Sequence, residues 1–236
     1  MRHKGFIPWD DDIDVLMPYE DYQKFVAIAQ DYLGEEYFLQ TSATDKNWYR
    51  VYGTIRKNNT AMIQNPRYRV NQGVWLDIFI IGNARSRFEC RIQKTTVMML
   101  NYFLMDQYMR INKEEFTQKL TPIGYGFFQC FYCIPWRWRY QLRQVLLNTI
   151  CRNKNGKYYP EIWCGITDIY DKSCFEGEPQ KVIFEGVEYN APHDPDKYLR
   201  TQYGENYMTP IKWERGHENI IIDLHNDYKK YIKKRN

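Results

Sequence analysis

The sequence contains no long run of apolar residues. Its longest stretch without a charged side chain is Leu120–Trp136, and glycine and proline residues interrupt that stretch. Because a membrane-spanning helix needs about 20 mainly apolar residues, the sequence predicts no spanning segment. The N-terminus opens on charged residues rather than on the apolar core of a secretory signal, and we expect a cytoplasmic protein.

Few of the cysteines have the spacing of metal ligands or of a redox pair. Of the six cysteines, only Cys130 and Cys133 have the spacing of a metal-binding or redox pair. No second pair follows them, whereas a structural zinc site needs about four ligands. The sequence therefore favours free core thiols in a reducing compartment over a zinc site or a disulfide framework.

Net charge is small, since 33 Lys and Arg residues against 29 Asp and Glu residues leave +4. A nucleic-acid-binding protein usually has a stronger basic excess, and we expect no nucleic-acid partner. The charge is unevenly placed, because residues 121–160 contain six basic residues and no acidic one. Repeats and low-complexity linkers are absent, so residues 1–236, which are 44% hydrophobic, are interpreted as a single domain.

Hydrophobic periodicity predicts an α+β protein, with a small mixed sheet near the N-terminus and a helix-rich C-terminal part. The strand at 73–81 is almost continuously apolar, which is typical of a central strand. A short strand at 61–63 is a candidate to return from a turn at 57–59. The other predicted elements are strands at 12–17 and 48–56, helices at 18–33, 88–109, 138–150, 195–203 and 217–231, and a hairpin at 182–189.

Aspartates are concentrated near the N-terminus, at Asp10, Asp11, Asp12 and Asp14. On a strand, Asp12 and Asp14 point to the same side, and Asp10 is a further candidate for that side. Asp77 is a lone carboxylate in the apolar strand at 73–81, where a buried charge needs a cation or a proton. Together Asp12, Asp14 and Asp77 predict a site for Mg²⁺ or Mn²⁺. The alternative is an ordinary solvated acidic loop.

The residues around these aspartates resemble the signature of the LicD family of phosphorylcholine transferases, to which fukutin and fukutin-related protein are related. The similar segments are RHKGFIPWDDDIDV at 2–15, PYEDYQKF at 18–25 and GVWLDIF at 73–79, with a weaker similarity over 198–210. Family members carry a glycine motif upstream of the first segment. That motif is absent here, so we expect a truncated chain whose catalytic competence stays open.

The resemblance implies a nucleotidyltransferase-like fold and a magnesium-dependent transfer reaction. A phospho-alcohol such as phosphocholine would pass from a CDP-linked donor, such as CDP-choline, to a hydroxyl of a cell-surface glycan or its lipid-linked precursor. Lipopolysaccharide and teichoic acid are glycans of this kind. The resemblance also implies that Asp12, Asp14 and Asp77 are the metal ligands and catalytic residues, with Asp77 orienting or deprotonating the acceptor hydroxyl.

Several side chains near the predicted metal site are candidates to bind the donor. These are Arg2, His3, Lys4, Arg56 and Thr60. Each also has an ordinary interpretation, as a surface charge, a turn residue or, for His3, a structural histidine.

Residues 120–150 are interpreted as a membrane-facing or acceptor-binding insertion. In this interpretation aromatic side chains reach the inner face of the membrane while Arg137, Arg139 and Arg143 contact lipid phosphates. The alternative is a segment buried in the core.

Three other functions stay open. The first is a glycosyltransferase, in which an Asp-x-Asp pair and its metal bind the diphosphate of a nucleotide sugar. In such enzymes the pair normally follows an N-terminal βαβ unit, whereas here it lies close to the N-terminus. A nucleotidyltransferase that releases pyrophosphate would differ only in its products. A truncated, inactive remnant would fold and still bind a partner or a membrane.

Overall fold

A computed structural model describes residues 2–9, 12–151, 155–163, 168–209 and 220–232. These ranges contain six α-helices and ten short strands, which confirms the predicted α+β class. In chain order the elements are β1 (Asp14–Pro18), α1 (Tyr19–Leu33), β2 (Tyr37–Gln40), β3 (Gly53–Lys57), β4 (Ala61–Ile63), β5 (Trp75–Ile81), α2 (Arg87–Tyr102), α3 (Asp106–Ile111), α4 (Lys113–Phe131), α5 (Trp136–Cys151), β6 (Tyr158–Pro160), β7 (Ile169–Asp171), β8 (Gln180–Phe184), β9 (Val187–Ala191), α6 (Pro195–Tyr203) and β10 (Ile221–Asp223).

The largest sheet has four strands in the order β1-β5-β3-β2. Strands β1 and β5 are parallel, whereas β3 is antiparallel to both β5 and β2. The predicted mixed sheet near the N-terminus is therefore confirmed, with the apolar strand β5 at an interior position. The predicted strand at 48–56 is shorter than expected, because β3 begins only at Gly53.

One face of this sheet is covered by helices. Ile78 and Ile80 of β5 are buried in one cluster with Tyr22 of α1, Val97 of α2 and Leu147 of α5. Successive side chains of a strand point to opposite faces, so Asp77 and Phe79 belong to the other face. The helical layer thus leaves the aspartate side of the sheet clear of the main core.

The predicted helix at 88–109 is wrong as a single element, since α2 ends at Tyr102 and α3 begins at Asp106. Between them the amides of Phe103, Leu104 and Met105 each bond to the carbonyl three residues back, which tightens the chain. Leu104 and Met105 are nevertheless buried, so the helical spacing of apolar residues continued across the break.

As predicted, helices dominate after the main sheet, since α2–α5 fill most of residues 87–151. In the described residues beyond 151, short strands β6–β10 predominate and α6 is the one α-helix. The predicted α-helix at 217–231 is wrong, because Ile221–Asp223 form β10, which pairs antiparallel with β4, and a single 3-10 turn follows at Tyr228–Lys230. β-branched Ile221 and Ile222 favour a strand. Residues 217–219 lie outside the described residues. The hairpin β8–β9 and helix α6, capped by the side chain of Asp194, agree with the sequence prediction.

Helix α5 confirms the predicted helix at 138–150, but two of its three arginines do not face outward as expected. Arg139 and Arg143 are only 4% and 1% exposed. Arg139 donates to the carbonyl of Phe103 at 2.7 Å, and Arg143 donates to the carbonyl of Tyr49 at 2.7 Å. The interpretation that these two side chains contact lipid phosphates is therefore wrong, and only Arg137 of the three is exposed.

Helix α4 is kinked where Thr121, with a φ of 62°, precedes Pro122. One side of the helix is core, with Phe116 and Phe128 buried against α3. The other side is open, and Cys130 and Cys133 are exposed rather than core thiols. Within the described ranges, no helix combines the length and the apolar character that crossing a membrane requires.

Candidate active site

A row of polar side chains crosses the sheet on the face that the helices leave clear. Asp14 of β1 is paired with Asp77 of β5, Asp77 with Thr54 of β3, and Thr54 with Gln40 of β2. Side chains at paired positions lie on the same face of a sheet. Each of the four strands therefore contributes one polar side chain to a single line, which we call the polar row.

Burial increases along the polar row. Asp14 is exposed at the sheet edge and Asp77 is half-buried, whereas Thr54 and Gln40 are fully buried. The Thr54 hydroxyl donates a hydrogen bond of 2.5 Å to Oδ1 of Asp77, which holds that carboxylate in place. The sequence analysis missed Thr54, although the strand alternation of GTIRK puts it on the same face as Arg56.

The pairing of Asp14 with Asp77 brings together two of the three predicted metal ligands. Two carboxylates on adjacent strands repel each other, and a cation between them relieves the repulsion. Asp12 lies before β1 and outside the strand pairing, so the register does not place it beside Asp77. Asp10 is outside the described residues. In the described part of the chain, no three His, Cys, Asp or Glu side chains form a metal-binding group, and the three-carboxylate site stays a prediction.

Arg56 lies on the same face as the polar row, but its guanidinium is bound inside the protein. It is 5% exposed, and it donates to Oε1 of Gln40 at 2.7 Å and to the carbonyl of Gly73 at 3.0 Å. Burial lowers the pKa of Arg56 to about 10, and the charge of Asp77 partly opposes this shift. Through these contacts Arg56 connects β2 to the segment before β5.

The other predicted donor-binding residues, Thr60 and residues 2–4, also form hydrogen bonds within the protein. The buried Thr60 hydroxyl donates to the carbonyl of Lys57 and accepts from the amide of Val74, which closes the turn after β3. Arg2 donates to Nε2 of His3 and to the carbonyl of Tyr207. The Lys4 carbonyl accepts a hydrogen bond from the amide of Glu185. These contacts link residues 2–4 to the C-terminal part of the chain.

Arg50 is a basic side chain of this face that the sequence analysis missed. Burial lowers the pKa of Arg50, but Tyr52, Tyr49 and Asp77 together raise it by more, so the net shift of the pKa is upward. No strand pattern could have identified it, because Arg50 lies before the first residue of β3.

A cavity of about 800 Å³ opens beside the Gln40 end of the polar row. Asp45 and Asn71 line it, and the Gln40 amide donates to Oδ2 of Asp45 at 2.9 Å and to the carbonyl of Asn71 at 3.1 Å. Phe38 of β2 and Tyr228 lie in the same wall. The polar row therefore runs from an exposed carboxylate to the edge of a cavity large enough for a small molecule.

The sequence model of the LicD/FKTN/FKRP nucleotidyltransferase domain matches residues 1–123, just over half of the 236 residues. This segment includes all four strands of the largest sheet. The chain is also similar to the lipopolysaccharide cholinephosphotransferase LicD of Haemophilus influenzae, with 52% identity over 42 residues. That match covers 18% of this chain and 16% of the length of the relative. No solved structure matches the chain.

Proposed function

The chain belongs to the LicD/FKTN/FKRP nucleotidyltransferase-domain family, and from this membership we propose that it transfers a phospho-alcohol from a CDP-linked donor to a hydroxyl of a cell-surface glycan or its lipid-linked precursor. The observation that carries the proposal is the pairing of Asp14 with Asp77, with Thr54 bonded to Asp77. The name of the Haemophilus relative supports phosphocholine as the transferred group and lipopolysaccharide as the acceptor class. A nucleotidyltransferase-like fold is part of the same proposal.

We propose Mg²⁺, or Mn²⁺, as the cofactor, held by Asp14 and Asp77 and also by Asp12. The paired carboxylates fit such an ion, because Mg²⁺ prefers oxygen ligands and commonly uses one or two carboxylates together with substrate phosphates. A preformed group of three carboxylates is therefore not required. When bound, the ion supplies positive charge that offsets the charge developing on the transferred phosphoryl group and on the CMP leaving group.

Residues of the chain would then position and deprotonate the acceptor hydroxyl. The acceptor oxygen forms a bond to the phosphorus of the phospho-alcohol, the bond from that phosphorus to CMP breaks, and CMP leaves with the electron pair. The proton of the acceptor hydroxyl goes to Asp77, which acts as general base. Thr54 is a positioning residue, because its hydrogen bond fixes the orientation of the Asp77 carboxylate.

We also propose that α4 and α5 contact the membrane that holds the acceptor. Their exposed apolar side chains, here called the apolar surface, are Ile123, Phe127, Trp138, Leu142 and Val145. Among the exposed residues from 121 to 149, the single charged side chain is Arg137. A surface with aromatic residues, one cation and no acid suits an anionic bilayer, because nothing on it repels the lipid headgroups.

Ligand-dependent thermal unfolding tests the proposed activity. The chain is heated with Mg²⁺ and either CDP-choline, CTP or a UDP-sugar, and a ligand at about 100 times its dissociation constant adds about 2.7 kcal/mol of stability. We expect a magnesium-dependent rise in Tm with CDP-choline, and release of CMP when a glycan acceptor is added. A rise with the UDP-sugar alone indicates a glycosyltransferase. Pyrophosphate release from CTP indicates a nucleotidyltransferase, and no rise with any ligand contradicts all three activities.

A further inference from the structure

Arg50 is held in place by aromatic rings just before β3. Its guanidinium carbon lies 5.8 Å from the ring centre of Trp48 and 5.4 Å from those of both Tyr49 and Tyr52. Cation–π contacts of this kind fix the position of a guanidinium without using its N–H groups. The residue as a whole is partly buried.

The contacts of Tyr52 place this guanidinium over the face of the polar row. The Tyr52 ring packs edge-on against Phe79, with ring centres 4.8 Å apart. Phe79 is two residues beyond Asp77 on β5, and the two side chains therefore share a face. The charge of Asp77 also acts on Arg50, which is consistent with this placement.

Among the described residues, none accepts a hydrogen bond from the guanidinium of Arg50. An arginine has five N–H donors in a planar fork. Within the ranges that the structure describes, Arg50 takes part in hydrogen bonding only through its carbonyl, which accepts from the Ser42 hydroxyl. Arg56, Arg139 and Arg143, in contrast, each donate to carbonyl or side-chain oxygens.

We propose that Arg50 binds the diphosphate of the donor, on the same face as Asp14 and Asp77. The inference rests on the proposed function and deepens it, because it assigns the phosphate-binding side chain to Arg50 in place of Arg56. An arginine fork matches phosphate oxygens with two parallel hydrogen bonds, and rings that already restrain the fork reduce the conformational entropy lost on binding.

The test compares Arg50→Met, Arg50→Lys and the exposed control Arg67→Met with the unmodified chain. Calorimetric titrations with magnesium pyrophosphate and with CDP-choline give the dissociation constants, and the Tm without ligand reports on folding. We expect Arg50→Met to weaken binding of both ligands about 10- to 100-fold, because charge-assisted hydrogen bonds to phosphate are lost. Arg50→Lys keeps the charge without the fork and should fall between, whereas Arg67→Met should bind normally.

The two ligands separate the inference from the proposed function. If pyrophosphate binding depends on Arg50 and CDP-choline does not bind the unmodified chain, the phosphate site stands and the donor is wrong. If both ligands bind the unmodified chain and Arg50→Met equally well, the Arg50 assignment is overturned while the proposed function stands. Absence of pyrophosphate binding to the unmodified chain also overturns it. If Arg50→Met fails to fold, the Arg50→Lys titration decides, and unchanged affinities in that variant count against the inference.

Discussion

Thr54 is fully buried, and its hydroxyl donates a hydrogen bond to the carboxylate of Asp77. Thr54→Val keeps the side-chain shape but removes this hydrogen bond. Because a loosely oriented carboxylate is a poorer general base, we predict that the rate of CMP release falls about tenfold, a loss of about 1.4 kcal/mol of transition-state stabilisation. Steady-state rates with CDP-choline and a glycan acceptor measure the change.

A matched control for this substitution is Thr117→Val on α4. The Thr117 hydroxyl donates to a backbone carbonyl four residues earlier rather than to a carboxylate. Its rate should equal that of the unmodified chain. Equal rates for both variants would show that Thr54 does not position Asp77.

The two N-terminal aspartates give a second prediction. Asp14 is paired with Asp77, whereas Asp12 lies outside the strand pairing. Asp14→Asn should abolish turnover, and without metal it should be as stable as the unmodified chain or more so, because the repulsion of paired carboxylates is removed. CMP release measures the turnover, and thermal unfolding with and without Mg²⁺ measures the stability. We also predict that Asp12→Asn abolishes turnover, and near-normal turnover in either variant would remove that residue from the metal site.

Part of the candidate site could be predicted from the sequence, and part of it could not. Strand alternation and the apolar surroundings of Asp77 singled out Asp12, Asp14 and Asp77, and of these the strand register pairs Asp14 with Asp77. The register between β3 and β5 selects Thr54, and register is a tertiary property that no local pattern of the strand contains. Arg56 carries the same charge as Arg50, and only packing shows which of the two guanidinium groups the protein already uses.

At the scale of elements, helix α5 carries arginines in both buried and exposed positions. Arg143 is buried and donates to the Tyr49 carbonyl and the Ser42 hydroxyl, whereas Arg137 is exposed on the same helix. Arg143 thereby ties α5 to the segment that carries Arg50. A sequence reading sees the same residue type at both positions, because the helical faces are fixed only when α5 packs.

This division predicts unequal effects of the same substitution. Arg143→Met leaves the Tyr49 carbonyl and the buried Ser42 hydroxyl without their donor, and we expect a loss of about 2–4 kcal/mol in the free energy of unfolding. Arg137→Met should change stability by less than about 0.5 kcal/mol, because surface substitutions away from buried contacts usually do little. Urea unfolding measures both values. Equal losses would contradict the buried position of Arg143.

Breaks between elements were harder to predict than the elements themselves. The separation of α2 from α3 depends on three tight backbone hydrogen bonds at residues 103–105. Apolar spacing carries no information about such a break when the residues within it are buried. Strand β10 forms because β4 offers an edge from another part of the chain. The spacing of its apolar residues alone suited a helix equally well.

For the whole molecule, the sheet and helices place the two proposed functional surfaces on different elements. The polar row belongs to β1, β5, β3 and β2, and the apolar surface belongs to α4 and α5. The sequence predicted the α+β class and the mixed sheet because both depend on local periodicity. It attributed membrane contact to aromatic side chains together with Arg137, Arg139 and Arg143, and of these arginines the structure leaves only Arg137 exposed.

The apolar surface therefore predicts membrane binding driven by burial of apolar side chains rather than by charge. Phe127→Glu with Trp138→Glu places two acids on it, and we expect the fraction that co-sediments with anionic liposomes to fall by more than half. The control is Tyr32→Glu, since Tyr32 is an exposed aromatic residue of α1. High salt should weaken binding of the unmodified chain only slightly, because one arginine contributes little. If the double variant binds liposomes normally but converts a dimer into a monomer, a second copy of the chain covers this surface instead.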